Sequence, residues 1–327
     1  MTTARHLLVD PDTPGYYHCI SRCVRRAWLC GVDPHDGKSY EHRRAWVEQR
    51  LLDLAGIFAV GVYAYAVMSN HVHVVLRIDP TAAATWSDEE VALRWVRLFP
   101  ATADGETDAA ACRLKEQTLL GNPDRLSACR QRLGSLAWFM KALNEPIARR
   151  ANREDACTGR FWEGRYKCQA LLDEAAVLTC MSYVDLNPIR AGIAENLETS
   201  IHTSALQRIE TLRANPTQAK WPLASINSAT ASAILPISIE AYLELTDWTA
   251  RLSRGDKRGR IDASEPPILR KLGLSEQQWH QQTLGTETRY WRAIGSARSL
   301  MEKAAVMGQA WLKGIGSAQL LIRRQTA

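Results

Sequence analysis

The sequence lacks an apolar run of the ~18 residues that a membrane-spanning helix needs. Its best candidate is interrupted by Asp53 and by the polar pair Ser69 and Asn70. The first residues also lack the basic start and apolar stretch of a secretory signal peptide. Both absences favour a cytoplasmic location.

Cys-x-x-Cys pairs are also missing, although the chain has 8 cysteines. This absence removes the commonest signature of structural zinc sites. A zinc site built from Cys19, Cys23 and Cys30 is an alternative, but scattered reduced thiols are the expected state in a cytosolic protein. The sequence therefore gives no reason to expect a disulfide framework.

The composition is typical of a globular protein, with 46% hydrophobic and 23% charged residues in a chain of 327. The net charge of +6 is mildly basic and is compatible with a polyanionic partner. Most of the 11 tryptophans are expected in the core, with a few available to stack on nucleic-acid bases.

Two histidines, His71 and His73, follow a short polar break between two apolar runs rich in β-branched residues. This pattern predicts a β-hairpin whose second strand begins at His71. Strand side chains alternate between faces, so both imidazoles point the same way and can converge on one metal ion. The alternative is two polar residues on the solvated face of an amphipathic strand.

Basic and aromatic residues are interleaved in residues 158–167, which include Arg160, Arg165 and Lys167. Such a segment can stack on bases while pairing with phosphates, or it can be a structural loop held by its aromatic residues. A smaller basic cluster with Arg22 and Arg25 lies at the exit of the first predicted strand. It either contacts phosphate or forms a solvated loop.

A helix is predicted after Asp173, which can cap its first turn, and it ends at Pro188. Tyr183 and Asn187 lie one turn apart beside the apolar stripe of this helix. Tyr183 can therefore project into a cleft, although ordinary packing at the edge of the core is the alternative. Another long helix is predicted over 126–152.

Three motifs occur in order: residues 68–73 (MSNHVH), 159–162 (GRFW) and 183–193 (YVDLNPIRAGI). Together they resemble the REP-associated tyrosine transposases, a single-tyrosine branch of the HUH nuclease superfamily, over about Tyr16 to Ile193. The resemblance implies an α+β fold with a ferredoxin-like or RRM-like antiparallel sheet and helices on one face. The tally of strands and helices along the chain agrees with that fold.

The same resemblance implies that His71 and His73 hold Mg²⁺ or Mn²⁺, with Asn187 at the position of a third ligand. Tyr183 matches the nucleophile, which would cleave single-stranded DNA near a palindromic hairpin through a 5′-phosphotyrosine intermediate. The proposed DNA contacts are basic residues of several segments: Arg22, Arg25, Arg160, Arg165, Lys167 and Arg190. Whether the protein acts as a monomer or a dimer stays open.

The predicted division is a catalytic domain at 1–202, a linker at 203–236 and a small α-helical domain at 237–327. A basic cluster in the last segment could bind a DNA hairpin, and its residues are Arg251, Arg254, Lys257, Arg258 and Arg260. The alternative is that this domain is a packing extension on the core. Two other functions fit the sequence. One is a non-catalytic nucleic-acid-binding module on an RRM-like sheet, which would leave the histidines and Tyr183 unexplained. The other is a relaxase or replication initiator of the HUH superfamily.

Overall fold

The computed structural model describes residues 5–24, 29–32, 37–231, 233–253, 266–288, 290 and 292–323. The predicted contact residue Arg25 and four residues of the basic cluster, Arg254, Lys257, Arg258 and Arg260, lie outside the described residues. The fifth, Arg251, is described and pairs with Asp247. In the described part of the chain, no helix combines the length and the apolarity needed to cross a membrane. No disulfide joins any two of its cysteines.

The chain combines helices and strands in an α+β fold, as the sequence predicted. The strands are β1 (Gly15–Arg22), β2 (Val60–Val67), β3 (His71–Ile78), β4 (Thr102–Ala103), β5 (Glu106–Thr107), β6 (Lys167–Leu171), β7 (Pro222–Leu223), β8 (Leu235–Ser238) and β9 (Ala293–Ile294). The first helices are α1 (Arg5–Leu8), α2 (His42–Ala55), α3 (Pro80–Thr85), α4 (Asp88–Leu98), α5 (Ala109–Leu120), α6 (Pro123–Leu133), α7 (Leu136–Glu154) and α8 (Glu174–Asp185). The later helices are α9 (Asn187–Arg190), α10 (Ser204–Ala214), α11 (Ile239–Ser253), α12 (Pro267–Lys271), α13 (Glu276–Gly285), α14 (Ala297–Val306) and α15 (Ile315–Arg323), with a 3₁₀ helix at Pro216–Lys220.

The main sheet has the order β2-β3-β1-β6-β9. Its first four strands pair with one another in antiparallel fashion, and together with α2 and α7 they form the βαββαβ connection of a ferredoxin-like fold. The fifth strand, β9, is parallel to β6 and comes from the C-terminal part of the chain. The sheet is therefore mixed, whereas the sequence predicted an antiparallel one.

Helices cover both faces of this sheet, in contrast to the expectation of one covered face. On one face, Tyr65 of β2 donates a hydrogen bond to Glu48 of α2, and Asn144 of α7 donates to Ser21 of β1. On the other face, α8 packs against β2 and β3. The physical reason is that α8 is mostly apolar and residues 176–185 are all buried, so the helix is covered on every side.

The second covering layer over α8 comes from α11 and α13. Segment 203–236, predicted as a linker, contains α10, the 3₁₀ helix, β7 and the first half of β8. Segment 237–327 contributes helices, as expected, and also β9. The division into three segments stays a prediction, but parts of the last segment pack directly on the core that carries the histidine strand.

The long helix predicted over 126–152 is two helices, α6 and α7, which meet at Gly134 and Ser135.

The helix starts that depend on capping side chains match the sequence prediction better. Asp173 accepts a hydrogen bond from the Ala176 amide at 2.9 Å and begins α8, as predicted. The same carboxylate accepts from the Ser296 amide at 2.7 Å, so it also joins α8 to the C-terminal part.

Asp185, at the end of α8, is a fully buried carboxylate that joins three helices. It accepts hydrogen bonds from the Ser204 hydroxyl, the Ala205 amide and the Tyr242 hydroxyl. Burial raises the pKa of Asp185, and the donors around it oppose that shift. The carboxylate therefore satisfies three donors that no water can reach.

Asp185→Ala should lower the free energy of unfolding by about 3 kcal/mol, because it leaves three buried donors without an acceptor. Chemical denaturation measures the change. Asp247→Ala is the matched control, because Asp247 forms a half-exposed pair with Arg251 one turn away. That pair should contribute less than about 0.5 kcal/mol, and equal losses in both variants would contradict the role of Asp185.

Candidate active site

The two histidines lie where the hairpin pattern predicts, at the start of β3 after the turn at Ser69 and Asn70. Their side chains share one face of the sheet, and their ring centroids are 4.7 Å apart. The Nδ1 atom of His71 lies 2.6 Å from the side-chain oxygen of Asn70. Because this bond holds Nδ1, the other ring nitrogen of His71 is left to bind a ligand.

His73 is buried, and its Nε2 atom makes no hydrogen bond within the part of the chain that the structure describes. Its Nδ1 atom lies 2.9 Å from Nε2 of His18, a fully buried residue of β1. A buried polar atom without a partner is costly. The Nε2 atom of His73 is therefore suited to receive a cation.

Tyr183 lies on α8 against the same face of the sheet, with only 5% of its surface exposed. Its ring meets His73 edge-on at a centroid distance of 5.9 Å and His18 at 6.2 Å. The guanidinium of Arg190 lies over the ring at 4.7 Å. The fold thus brings together the histidines and the tyrosine that the sequence singled out, from two distant parts of the chain.

The electrostatic environment keeps both histidines neutral and the tyrosine protonated. Burial lowers the pKa of His71 to about 4 and holds the pKa of His73 well below its usual value. Burial also raises the pKa of Tyr183, and the negative charge of Glu287 raises it further, while Arg190 opposes both effects. Neutral imidazoles are the form that binds metal ions, whereas the phenol needs nearby positive charge to lose its proton.

Asn187 follows Tyr183 by one turn and is mostly buried. Its Nδ2 atom donates to the Tyr183 carbonyl at 3.0 Å, which leaves the amide oxygen outside that bond. Among the described residues, no set of three His, Cys, Asp or Glu side chains lies close enough to hold a metal ion, so Cys19, Cys23 and Cys30 form no zinc site there. The histidine pair therefore suits a cation that takes its other ligands from an amide, substrate or water.

A cleft of about 160 Å³ opens beside His71. Three of the predicted DNA contacts, Arg22, Arg165 and Lys167, line it together with Glu163 and Glu287. All three cations are exposed to solvent, and Arg22 is 3.8 Å from Glu163. The cleft places positive charge at the entrance to the histidine pair, where a phosphate backbone could approach.

The other predicted contacts are placed differently. Arg190 is exposed and covers the Tyr183 ring. Arg160 is exposed in the loop before β6, where it donates to the Glu163 carbonyl at 3.4 Å. In that loop, the indole of Trp162 donates to the Asn144 carbonyl at 2.9 Å and Phe161 is buried, so the aromatic residues hold the segment in place.

Three residues of this site were missed by the sequence analysis: His18, Gln169 and Glu287. Gln169 of β6 lies 2.8 Å from His18, and Glu287 follows α13 with a carboxylate oxygen 3.7 Å from Nδ1 of His73. For His18 and Gln169 the signal is long-range strand pairing, because β1 lies between β3 and β6. The position of His18 two residues before Ile20, which pairs with His73, becomes informative only when the strand register is known.

No protein-family model and no curated protein matches the sequence. A comparison with solved structures finds a REP-associated tyrosine transposase bound to a REP hairpin, the family that the three motifs resemble. The alignment has 9% identity and a TM-score of 0.33, and it covers 72% of this chain and 98% of that one.

Proposed function

We propose that the protein is a metal-dependent endonuclease and strand transferase that acts on single-stranded DNA near palindromic hairpins, as in DNA transposition. The observation that carries this proposal is the position of Tyr183 against His73, whose ring also contacts that of His71. A phenol packed against a neutral imidazole of this pair, with three cations at the cleft beside His71, combines a nucleophile with a place for a divalent cation.

His71 and His73 would hold Mg²⁺ or Mn²⁺, and the amide oxygen of Asn187 is the proposed third ligand. When bound, the cation would supply positive charge that stabilises the reacting phosphate and favours the phenolate. Mg²⁺ usually keeps several waters or substrate oxygens in its coordination shell. A site with two histidines and one amide agrees with that requirement.

Tyr183 would attack the phosphorus through its Oη atom. The Oη–P bond forms, the bond from phosphorus to the 3′ oxygen breaks, and the phenolic proton is balanced by the proton that the 3′ oxygen gains. The products are a 5′-phosphotyrosine and a free 3′ hydroxyl. Because the phosphotyrosine retains a phosphoester bond, another 3′ hydroxyl can reverse the step and join two strands without ATP.

Arg22, Arg165 and Lys167 would bind the DNA backbone at the cleft. Arg160 and Arg190 are proposed as further contacts, and so is Arg25 outside the described residues. Phosphate contacts orient a strand but carry no sequence information. The DNA sequence that is recognised would therefore be read by other groups of the protein.

The proposal is tested with a labelled single strand that carries a palindromic hairpin, incubated with the full-length protein and Mg²⁺ or Mn²⁺. Cleavage together with a covalent protein–DNA species on a denaturing gel is expected, and EDTA should abolish both. Hairpin binding without cleavage under every metal condition would contradict the proposal. That result would favour the non-catalytic nucleic-acid-binding module.

The affinity for Mn²⁺ should change little between about pH 7.5 and pH 5.5, although the ligands are histidines. The reason is that an ordinary histidine pKa of ~6.5 is lowered to about 4 at His71. A lowered pKa means that the imidazole stays neutral as the pH falls and is protonated only near pH 4, where metal affinity is lost. Calorimetric titration at several pH values measures this, and a tenfold loss already at about pH 5.5 would contradict it.

A further inference from the structure

A chain of buried hydrogen bonds runs from the C-terminal part of the molecule to His73. The Gln169 amide nitrogen lies 3.2 Å from the Thr286 carbonyl and 3.4 Å from the Tyr290 carbonyl. The Gln169 amide oxygen lies 2.8 Å from Nδ1 of His18, and Nε2 of His18 lies 2.9 Å from Nδ1 of His73. The three side chains in this series of hydrogen bonds are all at least nine-tenths buried: His18, Gln169 and His73.

The two carbonyls fix the polarity of this chain at its outer end. A carbonyl oxygen only accepts, so the atom of Gln169 that faces residues 286 and 290 must be its donating nitrogen. The Gln169 oxygen then faces His18, and because an amide oxygen only accepts, Nδ1 of His18 must carry a proton. The proton on Nδ1 of His18 thus follows from the distances between heavy atoms alone.

The burial of His18 determines whether its other ring nitrogen, Nε2, donates or accepts. Its ring is fully buried and both of its hydrogen-bond partners are uncharged, so the neutral form is favoured. In a neutral ring with a proton on Nδ1, Nε2 accepts, and His73 must therefore donate from its own Nδ1 atom. The lone pair of His73 is then on Nε2, the buried atom without a hydrogen bond within the described part of the chain.

We infer that His18 and Gln169 are positioning residues, which hold His73 as the Nδ1–H tautomer and direct its Nε2 lone pair toward a divalent cation. A metal-binding histidine is usually oriented by a hydrogen bond from its other ring nitrogen, and the partner is commonly a carboxylate or a carbonyl. Here the partner is a second histidine. The backbone carbonyls of Thr286 and Tyr290 set the polarity of the relay, so these two residues contribute to the site.

The tautomer can be measured on the unaltered protein without metal, by long-range ¹H–¹⁵N correlation spectra of ¹⁵N-histidine-labelled protein. The chain has 8 histidines, and the signals of His73 and His18 are assigned by their loss in His73→Gln and His18→Gln. We expect both rings to carry their proton on Nδ1. A proton on Nε2 of His73 would overturn the inference, whatever is found for metal binding or cleavage.

The positioning role rests on the proposed metal site and is tested by Mn²⁺ affinity. His18→Leu should weaken Mn²⁺ binding about 10- to 100-fold, as observed for lost outer hydrogen bonds at metal sites. His18→Gln should keep most of the affinity, because its amide oxygen can accept the His73 proton. Gln169→Leu tests the other end of the relay, and His42→Gln, at a partly exposed histidine of α2 paired with Glu154, is the matched control.

The possible outcomes distinguish a failure of the positioning role of His18 from a failure of the proposed function. If His18→Leu and the unaltered protein bind Mn²⁺ equally, the relay has no positioning role and the inference fails, while the proposed function stands. If His18→Leu and His18→Gln lose Mn²⁺ affinity equally, the packing of His18 rather than its hydrogen bond is responsible, and the inference also fails. If the unaltered protein binds no Mn²⁺, the proposed function itself is contradicted.

Discussion

Tyr183→Phe should abolish the covalent protein–DNA adduct, with a loss of at least ~10³-fold in its rate of formation, because the substitution removes the attacking oxygen. The phenylalanine ring keeps the edge-on packing against His18 and His73. Folding and hairpin affinity should therefore be unchanged. Adduct formation is measured on a denaturing gel with labelled single-stranded DNA and Mn²⁺.

Tyr166→Phe is the control for this experiment. Tyr166 is also buried, and it stands between two of the cleft cations, Arg165 and Lys167. This variant should form the adduct at the normal rate, because Tyr166 lines a separate cavity with Pro80 and Leu136, whereas Tyr183 packs against His73. An adduct that persists in Tyr183→Phe and disappears in Tyr166→Phe would show that Tyr166, and not Tyr183, is the nucleophile.

His71→Ala and His73→Ala should each reduce Mn²⁺ affinity by at least ~100-fold and reduce cleavage to background, because each removes one of the two imidazole ligands. The two variants should differ in stability. His71 is partly exposed and lies at the start of β3, so its loss should change the free energy of unfolding by less than about 1 kcal/mol.

His73→Ala should in addition lower the free energy of unfolding by ~1–3 kcal/mol, because it leaves Nε2 of His18 buried without a partner. Calorimetry gives the metal affinity, and chemical denaturation gives the stability. His42→Ala is the control. His42 begins α2 and pairs with Glu154, so this substitution should change neither metal affinity nor cleavage. Normal cleavage by either histidine variant would contradict the metal site.

The hairpin and the histidine pair could be predicted from the sequence because they depend on local patterns. Apolar β-branched runs on both sides of Ser69 and Asn70 specify two strands and a tight turn, and alternation then puts His71 and His73 on one face. The α8 helix start was equally local, because Asp173 caps it. In each case one short segment contains all the information.

The coverage of both sheet faces had a sequence signal that was not used. The β2 sequence is apolar at every position except for its tyrosine hydroxyls, and all of its 8 residues are buried. A strand without polar alternation has no face for water. The break between α6 and α7 had a signal too, since Gly134 and Ser135 are residues that favour helix ends and starts.

His18, Gln169 and Glu287 could not have been placed from the sequence in this way. His18 and Gln169 are neighbours only because β1 pairs with β6 in one register, which depends on the whole sheet. Glu287 reaches the site because α13, which it follows, packs against α8. Such contacts are set by tertiary structure, and a single sequence contains no local pattern for them.

The most direct test of the central claim is to map the covalent bond itself. The full-length protein is incubated with a hairpin-bearing single strand and Mn²⁺, digested with nuclease and protease, and analysed by tandem mass spectrometry. We expect one modified peptide, with a nucleotide attached through its 5′ phosphate to Tyr183, and none when EDTA is present. Attachment to any other residue, or a modification that forms without metal, would contradict the account.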